Sequence, residues 1–220
     1  MFYHPDKKQV KNRVLYLASQ SRGRRNLLET AQIPHQVIEH KSDECGFEGT
    51  RSFEKYVLAI AKHKMEHVVL PNSEKIESDE IFVLTADTLM RTSETKKILG
   101  KPKDKDHAKS MLKLLCKEKI ELVTACCLDK KIFIDDFCKT IEKEHWTNTS
   151  FIEFCVEKDF REIYLEKLPQ AMGACGAGII EDFGMNFLKT IKGSYSSVIG
   201  LPLFELREKL QKLGFFYKKL

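Results

Sequence analysis

Two serines and two arginines stand together where a helix should begin, and that combination suits the binding of an anion. Val14-Leu15-Tyr16-Leu17-Ala18 reads as a buried strand, Ser19-Gln20-Ser21 breaks it, and Ser21 is a good cap for a helix through Leu27, Leu28 and Ala31. Arg24 and Arg25 fall in the first turn of that helix, where each positive charge opposes the helix dipole by roughly 0.3–1 kcal/mol. A bound anion reverses the sign, because backbone N–H groups, the Ser19 hydroxyl and two guanidinium forks would converge on one phosphate group. The alternative is that both arginines simply point into water.

Four more residues invite the same chemistry. The helix expected from Phe53 has an apolar stripe at Phe53, Val57, Ile60, Ala61 and Val68, and Lys64 falls on it. A lysine there must either snorkel outward or point its ammonium at something negative. Asp87 follows the apolar run Ile81-Phe82-Val83-Leu84 and closes that strand, a position where ligands bind in open α/β sheets and where turn-capping aspartates are equally common. Lys101 is held extended by Pro102, and Glu44 follows Asp43 in a polar loop.

Two other patterns weigh less. His63-Lys64-Met65-Glu66-His67 matches the inverted zincin spacing H-x-x-E-H, yet such a site needs a third ligand beside it and Lys64 is a poor neighbour for a dication. Gly173 to Gly178 suggests a nucleotide glycine loop, but the spacing is not G-x-G-x-x-G and no apolar strand leads into it. No P-loop pattern is present.

The composition narrows the class. With 220 residues, 42% hydrophobic and 31% charged, the chain is long enough for a substantial core and reads as one α/β domain over 1–220, with a polar extension at 1–13. A net charge of +5 from scattered lysines, without an aromatic-interleaved basic stripe, argues against nucleic acid and suits a small polyanion such as a nucleotide. No apolar run approaches the ~20 residues of a membrane span, and the N-terminus lacks the apolar core of a signal peptide. The seven cysteines form no C-x-x-C pair and read as reduced core residues of a cytoplasmic protein.

The element order is mixed. A strand at Gln36–Glu39, a helix from Phe53 to Val69, the strand from Ile81 and a helix through Met111, Leu112 and Leu115, capped by Asp104 or Asp106, come first. Strands at Ile120–Leu128, Lys131–Phe137 and Thr149–Val156 follow, then a short helix to Leu168, an edge-like segment Phe187–Ile191 and a final helix from Leu203 to Gly214. Residues 70–80 and 140–149 read as polar loops. The order implies one α/β unit with two lobes and a cleft between them.

Taken together, these pieces resemble the Maf family of nucleoside triphosphate pyrophosphatases, from Leu15 to about Leu213. The family's L-A-S-x-S-P-x-R-R-x-x-L-L element is followed by Leu17-Ala18-Ser19-Gln20-Ser21-Arg22-Gly23-Arg24-Arg25-Asn26-Leu27-Leu28, with Arg22 in place of proline. Its D-E, Y-V-x-x-L-A-x-x-K, A-D-T and G-K-P elements appear as Asp43-Glu44, Tyr56 to Lys64, Ala86-Asp87-Thr88 and Gly100-Lys101-Pro102. The late G-x-Y-x-x-V-x-G-L-P-L element runs from Gly193 to Leu203. Departures fall at Cys116–Ile120, at Ala125 where the family has glycine, and around Gly178, where G-Y-x-I-Q-G is replaced. Glu181 stands at the glutamine position.

The resemblance implies a mixed twisted sheet flanked by helices, with a nucleotide cleft, and hydrolysis of a nucleoside triphosphate to monophosphate and pyrophosphate. On that reading Ser19, Arg24 and Arg25 grip phosphate, with Glu181 also at the substrate. Lys64 and Lys101 add positive charge, and Glu44 and Asp87 hold a divalent ion, Mg²⁺ or Mn²⁺. Asp87 is the candidate to orient or deprotonate the attacking water. Glu181 and the residue inserted before Arg24-Arg25 lean toward the 7-methyl-GTP branch of the family, while Thr88 lies nearer the dTTP/UTP branch. A homodimer is compatible with the family. A nucleotide-binding regulatory protein without turnover is the alternative, and a zinc hydrolase using His63 and His67 is a further one.

Overall fold

The computed structural model describes residues 13–43, 52–71, 80–134 and 137–216. Glu44 and Cys45 lie outside the described residues, as do most of the expected N-terminal extension and of the expected loop at 70–80. Strand β1 (Leu15–Leu17), helix α1 (Arg22–Thr30) and strand β2 (His35–Val37) form a parallel crossover unit, and helix α2 (Phe53–Glu66) leads to strand β3 (Glu80–Thr92), parallel to β1. A short strand β4 (Ile98–Leu99) folds back on β3, and helix α3 (Lys105–Leu115) follows. Strands β5 (Ile120–Ile134) and β6 (Phe137–Phe154) make a long antiparallel hairpin. A 3₁₀ turn (Lys158–Phe160), helix α4 (Arg161–Lys167), three further 3₁₀ turns, strand β7 (Leu188–Lys192) and helices α5 (Tyr195–Ile199) and α6 (Leu203–Lys212) complete the described chain.

These strands make one seven-stranded mixed sheet among the described residues, in the order β2-β1-β3-β5-β6-β7 with β4 paired to β3. The mixed α/β fold expected from the sequence is present. Alternation along the strands decides which helix covers which face. Val123, Ala125 and Cys127 pack against α2, whose Val57 and Ala61 are fully buried there, and Met65 of the same helix also packs on Tyr16, Ala18, Ile81 and Val83. The opposite face carries two apolar clusters. One joins Leu15, Leu17, Phe82, Leu84, Cys126 and Leu128 to Leu28 of α1 and to Leu206 and Leu210 of α6. The other joins Met90, Ile120, Leu122, Ile152 and Phe154 to α3 and α4. Both clusters lie on the same face of one sheet.

Local chemistry explains the helix starts. Ser21 accepts from the Arg24 amide at 3.4 Å, Ser52 from the Lys55 amide at 3.2 Å, and Asp104, not Asp106, from the His107 amide at 2.7 Å.

Three expectations need correction. Asp87 does not close its strand: β3 pairs with β5 continuously from Glu80 to Thr92, so Asp87 sits in the middle, opposite Ala125. The expected loop at 140–149 belongs to β6, whose polar residues face outward while the backbone is held by β5. Cys116 and Cys155 form a disulfide, because the end of α3 meets the end of β6 with Cα atoms 4.2 Å apart, a proximity invisible in their spacing of 39 residues. Cys126, Cys127, Cys138 and Cys175 are free. No helix among the described residues is long and apolar enough to cross a membrane.

Tyr164 on α4 pins the glycine-rich segment to this frame. Its buried hydroxyl accepts from the Ile179 amide at 2.7 Å and shares its proton between the carbonyls of Ala177 and Ile179, each 3.1 Å away. Tyr164→Phe removes the acceptor of a part-buried N–H, and should destabilise the protein by about 1–3 kcal/mol in urea unfolding. An unchanged midpoint would show that water replaces the hydroxyl.

Candidate active site

Strand β1 stops at Leu17, where Ala18 still donates to the Leu84 carbonyl at 2.8 Å, and β4 joins β3 only at Met90. Between those points β3 has no strand partner on that side among the described residues. Four segments close around this open edge: the first turn of α1, the turn at Gly200 between α5 and α6, the Gly100-Lys101-Pro102 turn, and the 3₁₀ turn at Cys175–Ala177.

Arg24 ties three of these parts together. It is 7% exposed and donates through Nε to the Gly200 carbonyl at 2.8 Å, through Nη1 to Ser19 Oγ at 2.9 Å and through Nη2 to Thr88 Oγ1 at 3.1 Å. The Thr88 and Thr124 hydroxyls are 2.9 Å apart, and Thr124 donates to the Ser197 carbonyl at 2.8 Å. With the Thr124 proton committed to that carbonyl, Thr88 must donate to Thr124 and accept from Arg24, so the chain has one direction. It forms a polar seam between the two apolar clusters. Gly200 has a φ of 126°, and a Cβ there would come 3.3 Å from Thr88 Oγ1. Arg24 therefore uses three of its five N–H donors on the protein, leaving at most two for a ligand.

Arg25 differs. Its side chain is half-buried, and its Nε is shielded from solvent with no hydrogen-bond partner. Ser19 is buried and accepts from both Arg24 and the Ser21 amide. Arg22 is exposed.

On the other face of β3, the Lys64 ammonium meets Asp87 Oδ1 at 2.5 Å, with the two side chains 16% and 13% exposed. Lys64 thus takes the second of its two options, pointing at a negative charge. The register that brings them together is fixed nearby by Thr85, whose hydroxyl donates to the Ala61 carbonyl at 2.8 Å, one turn earlier in α2.

Cys175 connects the two faces, and sequence reasoning missed it. Its thiol donates to the Thr88 carbonyl at 3.2 Å, and the next amide, of Gly176, donates to the Gly100 carbonyl at 2.8 Å. Burial, then the Asp87 charge, push the thiol up to about 11, while Lys101, Arg24 and Lys64 pull the other way. At neutral pH Cys175 stays protonated and serves as a donor. The available signal was the run of small residues Gly173 to Gly178, which lets the backbone approach closely. Gly176 adopts a φ of 62°, and a Cβ there would lie 2.6 Å from Met90 Sδ.

Glu181 borders the first turn of α1. A Cβ on Gly23 would lie 2.9 Å from Ile199 Cγ2 and 3.3 Å from the Glu181 carboxylate, so no side chain fits between them. Burial, then the Asp182 charge, raise the Glu181 pKa above its ordinary value, partly offset by Arg22. Of the residues singled out in the sequence, Arg24 is hydrogen-bonded to Ser19, Lys64 is paired with Asp87, Glu181 borders the first turn of α1, and Lys101 lies in the turn whose Gly100 carbonyl accepts from Gly176. Glu44 is not among the described residues.

Residues 14–213 match the model of the family described as Maf-like protein. The chain belongs to the Maf-like family. Among curated relatives, one from Ruminiclostridium cellulolyticum named dTTP/UTP pyrophosphatase is 33% identical over 204 residues, covering 92% of this chain and 97% of its own. Another of that name, from Colwellia psychrerythraea, is 34% identical over 204 residues, covering 91% and 89% respectively. The expectation of an enzyme of the nucleotide pyrophosphatase class is met by this Maf-like chain. The lean toward 7-methyl-GTP finds no support in these relatives.

Two outcomes follow for the Maf-like chain. Arg24→Lys keeps the charge but loses the fork, and should lower stability by about 2–3 kcal/mol in urea unfolding. Because the folded-state pKa of Glu181 is raised, its contribution is fully present below the unfolded value near 4.5 and is lost as pH rises through the folded value. Glu181→Gln should therefore gain in Tm on the wild type between pH 5 and pH 8. A pH-independent difference would remove Glu181 from that account.

Proposed function

We propose that the protein hydrolyses pyrimidine nucleoside triphosphates of the dTTP and UTP type to the monophosphate and pyrophosphate. The Lys64–Asp87 pair beside the open edge of β3, with the first turn of α1 across it, is the observation that carries this reading. The names of the relatives support the substrate class.

The phosphates would sit at the first turn of α1. Arg25, with its unpartnered Nε, and the exposed Arg22 are better placed to give their donors to a ligand than Arg24, which mainly holds Ser19 and Thr88 in position. Lys64 and Lys101 would counter the phosphate charge from the other side. Asp87, oriented by Lys64, would accept a proton from the attacking water as the bond between the α- and β-phosphates breaks and pyrophosphate leaves with the bonding electrons. The Asp87 carboxylate is a hard oxygen donor, and one or two carboxylates plus substrate phosphates are the usual set for Mg²⁺. Asp87 with Glu44 would hold Mg²⁺ or Mn²⁺, which supplies neutralisation of phosphate charge.

Pyrophosphate release should be measured with Mg²⁺ on dTTP, UTP, CTP, GTP, ITP and 7-methyl-GTP. Turnover is expected on dTTP and UTP, with Asp87→Asn lowering kcat by about 10²–10⁴-fold while nucleotide binding persists. Turnover on 7-methyl-GTP alone would reverse the substrate assignment. Binding without turnover across the panel would favour a regulatory nucleotide-binding protein.

A further inference from the structure

Helix α2 presents a second set of polar groups on the face next to Lys64. His63, Glu66 and His67 each offer one ligand atom, and these atoms all lie within 4.8 Å of one another. The two imidazole centroids are 4.2 Å apart, and His63 Nδ1 lies 3.9 Å from a Glu66 carboxylate oxygen. His67 Nδ1 is 2.8 Å from the His63 carbonyl. A carbonyl can only accept, so Nδ1 is the donor in this contact and Nε2 is the nitrogen turned to a ligand. A backbone carbonyl fixing the tautomer of a ligating histidine is the arrangement found around bound zinc.

The two objections raised by the sequence are both answered by the geometry. Lys64 lies inside the pattern, yet its ammonium is drawn to Asp87. No ligand from another segment is needed for a surface site, because Glu66 within the pattern offers the third donor itself. Tetrahedral zinc with bonds of about 2.0–2.1 Å needs ligand atoms roughly 3.4 Å apart. The Glu66 side chain is 72% exposed and can swing that far without disturbing the core.

We propose that His63, Glu66 and His67 form a surface site for a borderline divalent cation, zinc above all, with solvent in the remaining position. Two imidazoles select zinc, nickel or copper over magnesium, which prefers oxygen ligands. The site rests on the geometry of α2 alone and is independent of the substrate assigned to the cleft.

The test is isothermal titration of the full-length protein with Zn²⁺ and separately with Mg²⁺, alongside thermal unfolding in each ion. The expected result is one zinc per chain at micromolar affinity and a rise in Tm that Mg²⁺ does not reproduce. His67→Ala and Glu66→Ala remove exposed side chains and should leave folding intact, and His67→Ala should weaken zinc by at least about tenfold. Zinc affinity changing less than threefold in both variants would place the ion at Asp87 or a cysteine and overturn the proposal. Absence of stoichiometric zinc binding to the wild type would overturn it too.

Discussion

The buried guanidinium of Arg24 is the constraint on which the surrounding structure depends. A cation removed from water must be met by acceptors, or the fold carries a penalty of several kcal/mol. Here the acceptors come from Ser19, Thr88 and Gly200, three segments far apart in sequence. Their positions fix where β1 ends, how α1 leaves it and where α6 begins. The seam continues through Thr124 to Ser197, so the apolar clusters on that face close separately on either side of it.

The open edge of β3 follows from the same arrangement. A parallel sheet that continued past Leu17 would pair the backbone around Asp87 and Thr88 and leave no access. Because the chain turns into α1 instead, that backbone is met by a thiol and by turns, which leave side chains rather than strands around it. Open α/β sheets commonly bind ligands where strand connections diverge, and β1 and β3 part here in that way.

The sequence made some of this legible and hid the rest for identifiable reasons. Caps and amphipathic stripes are local, so Ser21, Asp104 and Lys64 could be placed from their neighbours. The extent of β3 and β6 could not, because strand length depends on a partner. Glu142, Lys143 and Glu144 look like loop residues until β5 is found beside them. Arg24 and Arg25 look equivalent in sequence, yet one faces the seam and the other does not, a difference of one helical step. Ala125, where the resembled family has glycine, is fully buried opposite Asp87 and against α2, a position with room for a methyl group. Cys175 was not distinguishable from the other free cysteines, since its neighbours Thr88 and Gly100 are more than seventy residues away.

Alternation along β3 also constrains how any ligand could use both sets of charges. Asp87 points to the face of α2, and Thr88 to the face of α1 and α6. A ligand lying over either face would reach only one of them. At the edge between them the Thr88 carbonyl already accepts from the Cys175 thiol, so a ligand meets side chains there rather than a free strand edge.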